Sequence, residues 1–316
     1  MSENATTYDC RETFVDTLVQ LAREDERVVA VCNDSVGSSK LGAFQEEFPE
    51  RLINVGIAEQ NMVGVGAGLA NAGMIPFVSA AGPFLSGRAT EQIKADIAYS
   101  GAKVILCAQS PGMAYGNLGP THHSVEDFSW MRAIAGFPVV VPADPAQTAD
   151  ALRWAMEHDQ GSYLRIPRSK VPATTPDGST FHTGKAVQLT EGSDATIMAV
   201  GGLVPRALQA AGRLAEENIR VRVLNMTFVE PLDHDAVLAA ARETGGVVTA
   251  EEATVSGGLG AAVASFTAQH DPVPMRILGV RGFAPTHDTD GLFEHFGLTV
   301  EGLVEAVRNV RDHARR

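Results

Sequence analysis

"NVGIAEQNMVGVGAGLANAGMIPFVSAA", residues 54–81, holds one helix and one strand. Residues 57–73 have helical spacing, and "MIPFVSAA" (74–81) is a short apolar run with the character of a buried strand. The same alternation runs outward on both sides. "RVVAVCND" (27–34), "KVILCAQ" (103–109) and "FPVVVPAD" (137–144) read as further buried strands. "CRETFVDTLVQLARED" (10–25), "ATEQIKADIAY" (89–99) and "PAQTADALRWAMEHD" (145–159) read as helices, the last with Asp144 as N-cap and Pro145 at its first position. Strands alternating with helices predict a largely parallel sheet covered by helices.

The pattern breaks at "IPRSKVPATTPDGSTFHTG" (166–184), which collects Pro, Gly, Ser and Thr without periodicity, as a linker does. It then restarts, with strands in "ATIMAVGG", "VRVLNMTF", "GGVVTAEEA" and "PMRILGV" and helices at 204–217, 233–243, 258–270 and 300–314. A chain of 316 residues exceeds the ~250–300 that one core serves. The fold class is therefore α/β, as two doubly wound, largely parallel-sheet domains over 1–178 and 179–316.

A formal charge of −13 argues against a nucleic-acid partner, which needs a basic face. The one basic cluster, "RNVRDHARR", reads as a solvated helix end. There is no run of 18 apolar residues and no signal-peptide pattern, so the expected location is cytoplasmic, without a membrane span. Cys10, Cys32 and Cys107 lack C-x-x-C spacing, which suggests neither zinc nor a disulfide framework. No P-loop is present, and "GVGAGL" lacks the spacing of a dinucleotide fingerprint. "GGLG" (257–260), between a strand and a helix, suits either an anion or close packing.

Within the opening stretch, Glu59 is a lone acid at a helix start, in an otherwise uncharged run. One reading is a first-turn acid favoured by the helix dipole; the other is a site carboxylate. Glycines at 64, 66 and 68 weaken the helix by about 1 kcal/mol each against alanine. Bare positions at 64 and 68, one turn apart, let another polypeptide's backbone approach; packing within the chain is the alternative.

"RLINVGIAEQNMVGVGAGLANAG…PFVSAA", "GPTHHSVEDFSWMRAI", "VVVPADPAQTADAL" and "LRIPRSKVP", in that order, resemble the transketolase family of thiamine diphosphate enzymes. "EEATVSGGLG" and the later strand–helix order look like that family's C-terminal domain. The family binds the cofactor's diphosphate and Mg2+ on a further N-terminal domain carrying G-D-G, which is absent here. The resemblance is thus to the C-terminal half of a split transketolase, comprising a pyrimidine-binding domain and a C-terminal domain. It implies a companion N-terminal subunit that holds diphosphate and magnesium, and an α₂β₂ assembly.

The resemblance implies the site residues one by one. Glu59 of "GIAEQ" bonds a ring nitrogen of the aminopyrimidine and favours the imino tautomer that deprotonates the thiazolium carbon. An apolar interface around it implies a raised proton affinity. Phe84 of "GPFLSGR" stacks on the pyrimidine, while two other aromatic positions fall at Ala81 and Gly87. Arg88 stands near the same loop, for cofactor or substrate, or as an ion pair with an acid such as Glu91. His122 of "GPTHH" meets the reacting carbonyl, with His123 behind it. Arg168 of "RIPRSKVP" clamps the sugar phosphate, a task suited to a planar bidentate donor, and Arg11 aligns with a second phosphate-binding arginine. Asp34 and Ser38 of "NDSVGSSK" fall near cofactor and substrate, or serve as turn and capping residues.

Two departures bear on the substrate. A family histidine that grips phosphate falls at Ser110, and an acid that bonds a substrate hydroxyl falls at Leu118. Losing a carboxylate and gaining an aliphatic group favours an unusual or branched donor. "CNDSVGSSKL" and "GRATEQIKADIAYS" also look like split transketolases that include enzymes for branched sugars such as apulose 4-phosphate. The implied activity is transfer of a two-carbon ketol unit from a ketose phosphate to an aldose. The rivals are a β subunit of a 2-oxo-acid dehydrogenase decarboxylase component and an inert structural partner.

Overall fold

The computed structural model describes residues 6–314 of the chain. In the first half the elements run β1 (Thr7–Tyr8), α1 (Cys10–Glu24), β2 (Val28–Cys32), α2 (Gly42–Glu47), β3 (Leu52–Asn54), α3 (Glu59–Asn71) and β4 (Ile75–Ala81). They continue with α4 (Thr90–Gln92), β5 (Ile105–Gln109), α5 (Asp127–Arg132), β6 (Val139–Val140), α6 (Pro145–Glu157), β7 (Ser162–Ile166) and β8 (Val171–Pro172). The second half holds β9 (Val187–Thr190), β10 (Ala195–Ala199), α7 (Val204–Glu216), β11 (Val221–Asn225), β12 (Phe228–Glu230) and α8 (His234–Glu243). β13 (Val247–Thr254), α9 (Leu259–His270), β14 (Met275–Val280), α10 (Thr289–His295) and α11 (Val300–Ala314) complete it.

Seven strands form one sheet in the order β12-β6-β7-β5-β4-β2-β3, and five form another in the order β14-β13-β10-β11-β9. Apart from β12 and β9, each strand lies parallel to its neighbours in these sheets. The central strands β2, β4 and β5 are buried at every residue, as helices on both faces require. One face packs Phe14 and Leu18 of α1 and Leu152 of α6. The other packs Met62 and Val63 of α3, Ile93, Ile97 and Phe128. Each such side chain contributes about 1.5–3 kcal/mol by leaving water. Asp144 caps α6 by accepting from the Gln147 N–H at 3.0 Å, as its sequence signal indicates, and it also accepts from the Thr174 and Thr175 N–H groups of the linker.

Two features differ from the sequence reading. "VRVLNMTF" is divided: β11 stays in the second sheet, while β12 crosses to pair antiparallel with β6 at the edge of the first. β7, in "SYLRI", is a fully buried central strand whose apolar pattern is broken by Ser162 and Arg165. Among the described residues no helix is long and apolar enough to cross a membrane.

Candidate active site

The parallel strands of the first sheet deliver their loops to one edge, where α/β sheets hold ligands. The loop after β3 leads into α3, whose first residue, Glu59, is 4% exposed. Its Oε1 accepts from Asn33 Nδ2 at 2.6 Å and from Arg88 Nη1 at 3.0 Å, leaving Oε2 without a side-chain donor. The Arg88 guanidinium lies 4.1 Å from the Phe84 ring centroid. Phe84 meets the His122 imidazole edge-on at 5.1 Å, and Tyr115 meets the same imidazole at 6.2 Å. Arg168 stands 5.0 Å from the Tyr115 ring. Glu59, Arg88, Phe84, His122 and Arg168 therefore form one continuous row, with Tyr115 as the link that sequence reasoning missed.

A depression of ≈ 510 Å³ opens beside Glu59 and Arg88, with Ile57 and Gln60 on its walls. Arg168 borders a second cavity of ≈ 570 Å³, where Arg206 of α7 and Glu252 of β13 also line the wall. Phe84 and Arg88 both sit on a π-helical turn (Phe84–Arg88) after β4. Turns of that kind often occur at functional positions.

The expected raised proton affinity of Glu59 is corrected. Burial does push its carboxyl up. The backbone together with the hydrogen bonds from Arg88 and Asn33 outweighs that push and holds it below the usual glutamate range. Glu59 is not alone among uncharged groups, because Arg88 turns to it rather than to Glu91. Asn33, 8% exposed at the end of β2, is the other missed residue. Its signal was a polar side chain directly after five apolar ones.

Of the remaining candidates, Asp34 and Ser38 sit on the neighbouring loop after β2, and Arg11 reaches that loop from α1. Asp34 has φ +68, and its N–H and carboxylate are both engaged by the Asn54 amide. Ser38 is exposed and donates to the Ser35 carbonyl at 3.2 Å. Arg11 is buried rather than on the helix surface. It grips Asp9 through Nε (3.0 Å) and Nη2 (2.7 Å) and the Ser38 carbonyl through Nη1 (3.3 Å), so its charge is already matched. Asn33 ties this loop to Glu59, since its Oδ1 accepts from Ser35 at 2.7 Å.

Ser110 is fully buried at φ +53 with an unpartnered hydroxyl, whereas Leu118 is 55% exposed. His123 is buried with one ring nitrogen 3.4 Å from the Gly116 carbonyl; burial holds its imidazole below the usual range. Where Gly87 lacks an aromatic, Trp130 fills the space, since a Cβ there would lie 3.0 Å from its ring. On α3 only Gly66 is closely packed, against Val78 and Val104, while a Cβ at Gly68 would meet open space. At "GGLG" the anion is internal: Glu251 accepts from the Leu259 and Gly260 N–H groups.

Residues 6–174 match the family "Transketolase, pyrimidine binding domain", and residues 184–303 match "Transketolase, C-terminal domain". The chain belongs to the transketolase family. It is 42% identical over 296 residues to one subunit of the apulose-4-phosphate transketolase of Phocaeicola vulgatus, covering 93% of this chain and 95% of that one. It is 42% identical over 303 residues to the 6-deoxy-6-sulfo-D-fructose transketolase subunit SqwH of a Clostridium species, covering 96% and 94%. A solved structure of a split gene transketolase, an "inactive beta4 tetramer", superposes with a TM-score of 0.88 at 38% identity, covering 98% and 99% of the two chains.

The transketolase residues present fit an aminopyrimidine. Glu59 Oε2 has no side-chain donor, and Phe84 offers a half-buried ring linked to it through Arg88. Among the described residues no group of three or more His, Cys, Asp or Glu is arranged to hold a metal.

Proposed function

We propose that this chain is the pyrimidine-binding half of a split, thiamine-diphosphate-dependent transketolase. It transfers a two-carbon ketol unit from a ketose phosphate to an aldose, together with a companion subunit that holds the diphosphate and Mg2+. The observation that carries this reading is Glu59: a buried carboxylate at the carboxyl end of a parallel sheet, with no side-chain donor on one of its oxygens. The cofactor supplies the carbon nucleophile when bound. Glu59 bonds and orients the pyrimidine, and Asn33 fixes the carboxylate. Phe84 packs against the ring. Arg88, which grips Glu59 and borders the same depression, binds at the cofactor. His122 donates a hydrogen bond to oxygen as charge develops there. Arg168 clamps the phosphate, and Arg11 acts through Ser38 and its loop, with Asp34 at the loop's turn.

Support for the companion comes from the rim, where Ile57 is 79% exposed beside Glu59 and the Gly64–Gly68 face of α3 is open. The domain division at 178/179 falls in the linker, and the assembly is α₂β₂ in the cytoplasm. Leu118 at the rim and the inward-turned Ser110 leave room for a branched or modified donor. The two relatives named for apulose 4-phosphate and sulfofructose support that direction. The test is reconstitution with the companion chain. Glu59→Gln lowers turnover by about 10²- to 10⁴-fold, and a branched or modified ketose outperforms xylulose 5-phosphate. Unchanged turnover in Glu59→Gln leaves only the inert-partner reading.

A further inference from the structure

The loop that carries Tyr115 and His122 leaves the first sheet after β5, yet the second half of the chain grips it along its length. Met113 donates its N–H to Glu252 Oε1 at 2.6 Å. Gly112, at φ +61, has the Glu252 carboxyl where a Cβ would stand. One turn on, a Cβ at Gly116 would strike the His287 carbonyl, and the His287 N–H donates to the Gly116 carbonyl at 3.3 Å. At Gly119, φ +75, a Cβ would lie 2.7 Å from Thr286 Oγ1. Three glycines of one loop are thus bare because a second-domain group stands against each. The loop's own regular structure is slight, one 3-10 turn at Gly116–Leu118 and a bridge between Gly112 and Ser124.

Behind the loop the clamp continues. Thr254 donates its N–H to the Val125 carbonyl at 2.7 Å. Arg165 Nη2 donates to the carbonyls of both Ser124 (2.8 Å) and Glu252 (3.0 Å). Glu252 is the one side-chain acceptor in this grip on the loop, and its neighbours of opposite sign, Arg165 and Arg206, come from β7 and α7.

We propose that Glu252 is a positioning residue: its carboxylate holds the Gly112–Gly119 loop and thereby sets where Tyr115 and His122 stand in the active site. This rests on the reading of His122 above. The C-terminal domain then contributes to turnover through this loop. A displacement of about 1 Å in such a group costs up to about 100-fold in rate.

Two substitutions separate reach from charge. Glu252→Gln keeps an acceptor at the same reach without the charge. Glu252→Asp keeps the charge and is one methylene short of the Met113 N–H. In the reconstituted complex, Glu252→Asp and Glu252→Ala lower kcat by about ten- to a hundredfold, with the donor KM within about twofold, and Glu252→Gln rescues kcat. Full kcat in Glu252→Ala, or an active Asp with an inactive Gln, overturns the proposal. If the Ala variant does not fold, the Asp and Gln pair decides.

A second readout uses the isolated chain and no catalysis. The His122 ring proton signals shift or broaden in Glu252→Asp and keep their positions in Glu252→Gln. Unmoved signals in both variants overturn the proposal. Failure of Glu59→Gln to affect turnover would instead remove the functional reading and leave this loop measurement standing.

Discussion

Two buried glutamates stand near helix starts in the two halves of the molecule, and their surroundings separate chemistry from architecture. Glu59 and Glu251 are 4% and 0% exposed. Glu251 spends both oxygens on the Leu259 and Gly260 N–H groups at the start of α9, at 2.6 and 2.8 Å. Glu59 spends one oxygen on Asn33 and Arg88 and keeps the other. Burial pushes Glu251 up to about 7, because the Arg165 and Arg132 charges and two backbone donors only partly offset desolvation. Glu59 moves the opposite way, because its backbone N–H, Arg88 and Asn33 together outweigh burial. A buried acid alone therefore does not mark a site; a free valence beside an open depression does.

The comparison breaks most sharply in paired substitutions. Glu59→Gln is expected to lower turnover by about 10²- to 10⁴-fold with little change in melting temperature. Glu251→Ala is expected to lower stability by about 1–3 kcal/mol for each N–H left unpaired, with turnover per folded molecule retained. Calorimetry and steady-state kinetics on both variants would show if the roles are exchanged.

A pH series sharpens the same contrast. Because folding raises the Glu251 pKa, the folded state holds a proton that the unfolded state releases near pH ~4.5. Its contribution is therefore fully present below about that pH and is lost as pH rises through about 7. The stability gap between wild type and Glu251→Ala should be widest at and below pH ~4.5 and narrow toward pH ~8. A gap that widens with pH would refute the assignment. Glu59 has the reverse sign, since its stabilising effect is lost as pH falls through its lowered pKa.

Arg88→Ala should move the Glu59 carboxyl upward in a carbon-13 titration of the isolated chain, because burial then acts with one opposing donor fewer. An unmoved titration would mean that Arg88 does not set the charge of Glu59.

The smallest effects lie on α3. Gly66→Ala drives a methyl toward Val78 and should cost about 1–3 kcal/mol. Gly68→Ala enters open space and should stabilise the isolated chain by about 0.5–1 kcal/mol while weakening assembly with the companion. Thermal melts and native mass spectrometry of the two variants separate packing within the chain from the partner-facing role.

Local chemistry in the sequence was enough for the α/β alternation, the Asp144 cap and the parallel strands, since periodicity and turn residues act over a few neighbours. Glu59, Phe84 and His122 were legible as candidates because their flanking motifs are contiguous. Only the tertiary structure decided that Arg88 neutralises Glu59, that Arg11 is taken up by Asp9, and that Asn33 and Tyr115 complete the row. It alone decided that β12 crosses to the first sheet and that Glu252 reaches the His122 loop, 139 residues away in the chain from Met113. Such pairings depend on where strands end in space, and no window of neighbouring residues carries that distance.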